Sequence, residues 1–326
     1  MKKLRKFLTI LTTILVVIAL AWTIISLIPP KAAVEGDNPW RKTDQTLISA
    51  HRGGANLNPE NTEMAFDYVI NETTYTDIVE IDIRVTKDNE LVIIHDDSIN
   101  RTGIKGEVDN DNLLLINDLT YDELVQYNLG VNFEKDGVKP YENLTTKEAD
   151  EKGLTIMKFE EFLIKYQSSR YFRLLLEIKD SKELGVRAVD MAEEIIAKYA
   201  NWDDRIMIIS FTSGVVEHVI ENYPGRYVAG MGYGMVPQLA GSLLALDSLF
   251  KSDYQSIQTS MEVKAGPISL NCATKRFVNS AHKRNQCVAY WTIDDEEDMK
   301  YLISIGADVI TTDNPDVLAR VVGKIK

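Results

Sequence analysis

Past residue 45 the chain alternates between short β-branched apolar runs and longer amphipathic stretches, and this rhythm restricts it to a parallel sheet with helical crossovers. The strand candidates cover residues 46–50, 77–82, 172–178, 206–211, 227–232, 268–271, 287–293 and 308–312. Helical candidates fall between them, the clearest at 182–200, 213–222, 238–251, 274–284 and 296–305. Eight such units over roughly 250 residues predict a closed α/β barrel, the (β/α)8 TIM fold, with an open doubly wound sheet as the alternative.

One run breaks the rhythm. Residues 90–95 are strand-like, but only Lys87-Asp88-Asn89 separate them from the preceding extended run. A parallel crossover needs a dozen or more residues, so these two runs should form an antiparallel hairpin. Pairing around its turn sets Thr86 opposite Glu90, Asp82 opposite Ile94 and His95 opposite Ile81. With the hairpin set aside, the barrel count is eight. The following segment, about 96–170, holds polar loops and short helical stretches near 121–127 and 158–166. It contains no core of domain size and reads as an insertion over the barrel top, where binding loops collect.

The first 30 residues follow another logic. Residues 7–28 carry no charge and, at ~1.5 Å per residue, would span ~33 Å as a helix, enough to cross a bilayer core. Lys2, Lys3, Arg5 and Lys6 precede the run, and Pro29-Pro30 end it. Positive flanks stay cytoplasmic, which predicts a single-pass anchor at 1–30, a linker at 31–45 and a barrel domain at 46–326 outside the cytoplasm. A cleaved signal peptide, with Ala19-Leu20-Ala21 as its site and a secreted product, is the competing reading. The apolar Trp22-Thr23-Ile24-Ile25 that follows that site favours the anchor.

Of 36 basic residues, four precede residue 29, so the remainder carries 49 acidic against 32 basic residues, a net of −17. Such a surface excludes a nucleic-acid partner, which needs a basic footprint. It also repels anions, so an anionic substrate would need a bound cation to offset that field locally. Two cysteines, Cys272 and Cys287, are too few for a disulfide framework and read as two small apolar residues, with a single bridge outside the cell as the alternative. No oligomeric state is legible.

Active sites of such barrels lie at the C-terminal ends of the strands. There the sequence places His51-Arg52-Gly53-Gly54, Glu80-Ile81-Asp82, the returning His95-Asp96, Glu177-Ile178-Lys179, Trp291-Thr292-Ile293-Asp294 and Thr312-Asp313. Glu80 and Asp82, two apart on a strand, share a face, and Glu177 from the neighbouring strand makes a third oxygen donor. Hard oxygen ligands select one divalent cation of the Ca2+ or Mg2+ kind. His51 and His95 can exchange protons near neutrality. His218 and His282 fall within helices and read as surface residues. Arg52 and Lys179 suit phosphate oxygens, and Trp291 either lines the mouth against an alcohol group or packs. Pro59-Glu60-Asn61-Thr62 reads as a helix start, and Asp313-Asn314-Pro315 as a cap before the last helix.

As an ordered set these blocks resemble the glycerophosphodiester phosphodiesterase family. The set is His51-Arg52-Gly53, Pro59-Glu60-Asn61-Thr62, Glu80-x-Asp82, Thr86-x-Asp88, Val92-x-x-His95-Asp96, Glu177-x-Lys179, Trp291-Thr292 and Gly306-Ala307-Asp308 to Thr312-Asp313-x-Pro315. The resemblance implies a barrel enzyme that hydrolyses glycerophosphodiesters to glycerol 3-phosphate and an alcohol. It implies Glu80, Asp82 and Glu177 as metal ligands, His51 and His95 as the acid–base pair, and Arg52 and Lys179 as phosphate contacts. The attacking group could be water or the glycerol 2-hydroxyl. One departure is Leu154-Thr155-Ile156-Met157-Lys158, where the family's insertion closes with an Ile-Pro-Thr-Leu-like stretch. Rival readings are a sphingomyelinase-D-like phospholipase on lipid-derived substrates, and a hydrolase or binder of envelope glycerophosphate polymer.

Overall fold

The computed structural model describes residues 2–42, 44–265 and 268–325; Thr43 of the expected linker lies outside the described residues. The strands are β1 (Leu47–Ala50), β2 (Ile78–Val85), β3 (Leu91–Ile93), β4 (Arg173–Ile178), β5 (Ile206–Ile209), β6 (Tyr227–Gly230), β7 (Ser256–Thr259), β8 (Glu262–Ala265), β9 (Ile268–Asn271), β10 (Cys287–Tyr290) and β11 (Val309–Thr312). Eight of them pair in parallel in the order β1-β2-β4-β5-β6-β7-β10-β11, and β11 returns to β1, so the sheet closes into the expected (β/α)8 barrel.

Strand parity divides the core into two layers. Val79, Ile81 and Ile83 of β2 face outward and pack with Ala188, Val189 and Ala192 of the helix Lys182–Ile196. Ile78 faces inward and packs with Leu175, Met207, Ala229, Ala289 and Val309 inside the barrel. Glu80 and Asp82 share the parity of Ile78, so the strand itself delivers both carboxylates into the barrel lumen. Apolar side chains fill the lower lumen, and Trp40, only 2% exposed, closes its foot. Just before it, Asn38 Nδ2 donates to the carbonyls of Gln255 and Asn285, the residues that precede β7 and sit at the foot of β10. The end of the expected linker is thus part of the barrel's base.

The hairpin has the expected register. Ile83 pairs with Ile93, Arg84 with Val92 and Val85 with Leu91, while Ile94 N donates to Asp82 O at 2.9 Å. The insertion packs against the outer side of this hairpin through Val92, Ile94, Ile99, Ile116, Leu124, Leu129 and Ile156, a satellite cluster rather than a core of its own.

The sixth barrel strand differs from expectation. It is β7, whereas residues 268–271 form β9, which pairs antiparallel with β8 in a separate two-stranded ribbon. Ser256-Ile257-Gln258-Thr259 carries a single large apolar residue, because its inward side chains line a polar part of the lumen. The helix expected at 238–251 is also shorter: Val236–Leu244 stops where Ala245 turns left-handed, φ 55°. The N-terminal helix spans Lys2–Leu27, with none of its residues buried.

Candidate active site

The carboxylates converge as the strand parity requires. One oxygen each of Glu80, Asp82 and Glu177 lies within 4.8 Å of the others, and all three residues are buried. Each carboxylate is steered by one fixed donor. Arg52 N donates to Glu80 Oε2 at 2.6 Å, Asn61 Nδ2 to Asp82 Oδ2 at 2.8 Å, and Lys179 Nζ to Glu177 Oε1 at 2.7 Å. Among the described residues, Glu80 Oε1 and Asp82 Oδ1 are buried with no hydrogen-bond partner. Burying an anionic oxygen without a partner is costly. A divalent cation with oxygen ligands is the group that this donor set fits. Burial, and next the charge of Asp82, push the Glu80 and Glu177 carboxyls upward from the ordinary range.

Both histidines are held by one ring nitrogen. His51 Nδ1 lies 2.7 Å from Asp313 Oδ1, and His95 Nδ1 lies 2.6 Å from Asp96 Oδ1. A carboxylate at Nδ1 accepts from Nδ1–H and leaves Nε2 as the nitrogen open to a ligand. For His51, burial works against the charged ring, but the Asp313 hydrogen bond and the Glu80 charge prevail and hold its pKa up at about 9. Asp96 shows the reverse balance: burial is outweighed by hydrogen bonds from His95 and Arg101, which hold its carboxyl well below the usual range.

The turn after β1 gives His51 its place. Arg52 adopts φ 51° and Gly53 φ 82°, and a Cβ on Gly53 would meet Ala65 Cβ at 2.9 Å, so only glycine lets the turn lie this close to the following helix. Arg52 reaches Glu60 at 3.0 Å and Asp82 at 3.5 Å, and Lys179 lies 3.7 Å from Asp82, so both cations stand beside the triad. Arg84 Nε donates to the His95 carbonyl while its Nη1 is held by Asp180, which pins the hairpin's return. Trp291 lines the lumen mouth with His51, Glu80, Glu177, Met231 and Gln258, and stacks edge-on against Phe211 at 5.2 Å.

Several site-building residues were legible only as local structure in the sequence. Thr62 does cap the helix Glu63–Asp67, but Asn61 beside it holds Asp82, and Glu60 binds both Arg52 and Arg101. Asp313 does not cap the last helix; it holds His51, and Asp294 fixes it in turn by accepting from Asp313 N at 2.8 Å. Arg101 carries no sequence signal, since its partners Asp96 and Glu60 meet it only through the fold of the insertion. His218 and His282 stay outside the site, as expected, but each is half-buried against a carboxylate, Asp190 and Asp308, rather than free on the surface. Cys272 and Cys287 are free and buried.

A barrel rim that gathers a carboxylate triad, two carboxylate-held imidazoles and two cations has the build of a hydrolase for an anionic ester. Residues 51–317 match the model of the Glycerophosphoryl diester phosphodiesterase family. A glycerophosphodiester phosphodiesterase of Bacillus altitudinis is 26% identical over 86% of this chain and 100% of its own length. Among solved structures, a putative glycerophosphoryl diester phosphodiesterase from Silicibacter pomeroyi superposes with a TM-score of 0.66 at 19% identity, over 87% of this chain and 95% of its own. An Oleispira antarctica phosphodiesterase in complex with the product sn-glycerol-3-phosphate gives 0.61 at 19% identity, over 85% and 96%. The chain belongs to the glycerophosphoryl diester phosphodiesterase family, and is a phosphoric diester hydrolase.

Proposed function

We propose that this protein hydrolyses glycerophosphodiesters to glycerol 3-phosphate and an alcohol, using one divalent cation, Ca2+ or Mg2+, and a two-histidine acid–base pair. The observation that carries this reading is three buried carboxylates, Glu80, Asp82 and Glu177, with one oxygen of each within 4.8 Å of the others, while Glu80 Oε1 and Asp82 Oδ1 have no hydrogen-bond partner among the described residues. Family membership, and the product held by the Oleispira antarctica relative, support the substrate class.

Glu80, Asp82 and Glu177 would hold the cation, which when bound offsets the charge of the phosphate oxygens. Arg52 and Lys179 would orient the remaining phosphate oxygens from beside the triad, the first as a planar fork and the second as a point charge. One imidazole takes the proton from the attacking oxygen, and the other protonates the departing alcohol oxygen, each through the Nε2 that Asp313 and Asp96 leave open. Trp291 would border the organic part of the substrate at the mouth.

We read the N-terminal helix as a retained single-pass anchor that places the barrel outside the cytoplasm. Its length and the four positive charges in its first turns, Lys2, Lys3, Arg5 and Lys6, support this.

The test is glycerol 3-phosphate release from glycerophosphocholine and glycerophosphoethanolamine by the full chain in detergent, with Ca2+, with Mg2+ and with chelator. Release that needs a cation, and falls at least ~100-fold in His51→Ala and in Glu80→Gln, is expected. Full activity in chelator, or in either variant, would remove the proposed roles.

A further inference from the structure

Among the described residues, the N-terminal helix meets the barrel through its last turns. Residues 2–24 are exposed, and Ile25 and Ser26 are partly covered. Trp22 Nε1 donates to Leu244 O at 2.9 Å, and Ser248 Oγ donates to Ile25 O at 3.2 Å. Residues 244–248 therefore stand level with residues 22–25 of the helix. That level lies ~3–8 Å inside the helix end at Leu27, within the apolar run itself.

Three large apolar side chains stand open at that level, and the carboxylate between them, Asp247, is engaged by the Ser280 hydroxyl. Leu243, Leu244 and Leu249 are 44%, 55% and 58% exposed. They lie where the helix Val236–Leu244 ends and the chain turns toward the foot of β7. The chain after the helix then runs under the barrel: Ala33 N donates to Arg284 O, and Asn38 holds the backbone before β7 and β10. Every one of these contacts is at the N-terminal ends of the strands, opposite the catalytic rim.

We propose that Leu243, Leu244 and Leu249 form a foot that sits in the lipid beside the N-terminal helix, so that the barrel stands base-down on the bilayer with its catalytic rim turned to water. The inference rests on reading the helix as a membrane anchor. What identifies the occupant as lipid is continuity: the patch is joined by two hydrogen bonds to a helix of membrane-spanning length, at a depth where that helix is still apolar. A tryptophan at this level, with its N–H satisfied, is what an interfacial belt uses. The orientation has a consequence for substrate. On β4, Arg173 stands at the foot and Glu177 four residues up, which at ~3.3 Å per residue separates them by ~13 Å. The triad is thus held off the membrane, and substrates reach it from the aqueous side as water-soluble diesters, not as intact lipids of the bilayer in which the protein stands.

The test uses the full chain in nanodiscs whose lipids carry bromine on the acyl chains. Leu243→Cys, Leu249→Cys, Val138→Cys on the insertion and Ile28→Cys at the helix end would each bear an environment-sensitive fluorophore. Native Cys272 and Cys287 are 0% and 1% exposed and would not take up label. Quenching at 243 and 249 comparable to that at 28, with none at 138, is the expected result, with glycerol 3-phosphate release unchanged in all four. Quenching at 28 but not at 243 or 249 would overturn the foot, and a 249–249 cross-link in that case would assign the patch to a second copy of the chain. No quenching at 28 would defeat the anchor reading and the foot with it, while leaving the catalytic proposal to its own assay.

Discussion

His51 owes its charge to a residue that the sequence offered as a helix cap. Against the pull of burial, the hydrogen bond to Asp313, helped by the charge of Glu80, holds the imidazole up at about 9, and Asp313 fixes which nitrogen faces the site. Replacing it as Asp313→Asn keeps the shape but removes the charge, so kcat should fall by roughly 10²–10⁴ with a much smaller change in KM. The limb of the pH–rate profile that belongs to His51 should move to lower pH, whether His51 serves as acid or as base, because the raising partner is gone. A profile whose limbs stay in place would mean that Asp313 does not tune His51. The raised pKa also sets a stability sign: the folded state favours the protonated ring, a contribution complete below ~6.5 and lost as pH rises through about 9. At this scale the sequence was readable for the placement of rare residue types at one rim, as with His51, His95, Glu80, Asp82 and Glu177. It was not readable where a site residue also suits a common local role, as with Asn61 and Asp313, whose side chains find their partners 21 and 262 residues away.

Elements were legible in proportion to how local their determinants are. The β2–β3 hairpin followed from a three-residue connection, and its register alone carried His95 back beside the carboxylates. The sixth barrel strand was missed because a strand that turns polar side chains into the lumen loses the apolar pattern, while β9, in its separate two-stranded ribbon, kept one. The insertion is tied to the barrel by a feature of the same non-local kind. Arg101 binds Glu60 through two hydrogen bonds of 2.8 and 2.7 Å, and also grips Asp96. Glu60 is held below its ordinary range, because hydrogen bonds from Arg101 and the charge of Arg52 outweigh burial, and Asp96 is depressed likewise. Depressed carboxyls stabilise the folded state above their unfolded values, ~3.9 for Asp and ~4.3 for Glu, and that support is lost as pH falls through the folded values. Acidification below ~4 should therefore raise hydrogen exchange in residues 96–157 before the barrel strands open. Arg101→Ala should bring that exchange on at neutral pH. Its cost should be ~1–2 kcal/mol, less than for a fully buried pair, because Arg101 is 42% exposed and partly screened. Uniform protection across insertion and barrel at low pH would show that the network does not hold the insertion.

For the molecule as a whole, the barrel buries three mutually repelling carboxylates at one point, where its chemistry is proposed. Glu80 and Glu177 are pushed upward by burial and by Asp82, so the folded metal-free protein binds protons more tightly than the unfolded chain does. Stability then falls as pH rises from ~4.3 toward the raised values, the opposite sign to that of Glu60 and Asp96. A cation bound only by the folded state removes this penalty and adds its own linkage, ~2.7 kcal/mol at a hundredfold excess over Kd. At 2–4 °C per kcal/mol for chains approaching this size, the gain in Tm should be roughly 5–10 °C. The gain from Ca2+ or Mg2+ should grow between pH 5 and pH 8, as protons stop competing for the triad. Glu80→Gln separates the two effects. It should melt above the metal-free native protein at pH 8, since it relieves the repulsion, yet show no cation-dependent gain and little activity. Calorimetry of both proteins at pH 5 and pH 8, with cation and with chelator, would decide this. A Tm that ignores cations at both values would remove the triad as a metal site, and a Glu80→Gln protein less stable than the metal-free native one would show that the carboxylates are held together by something other than a missing counter-charge.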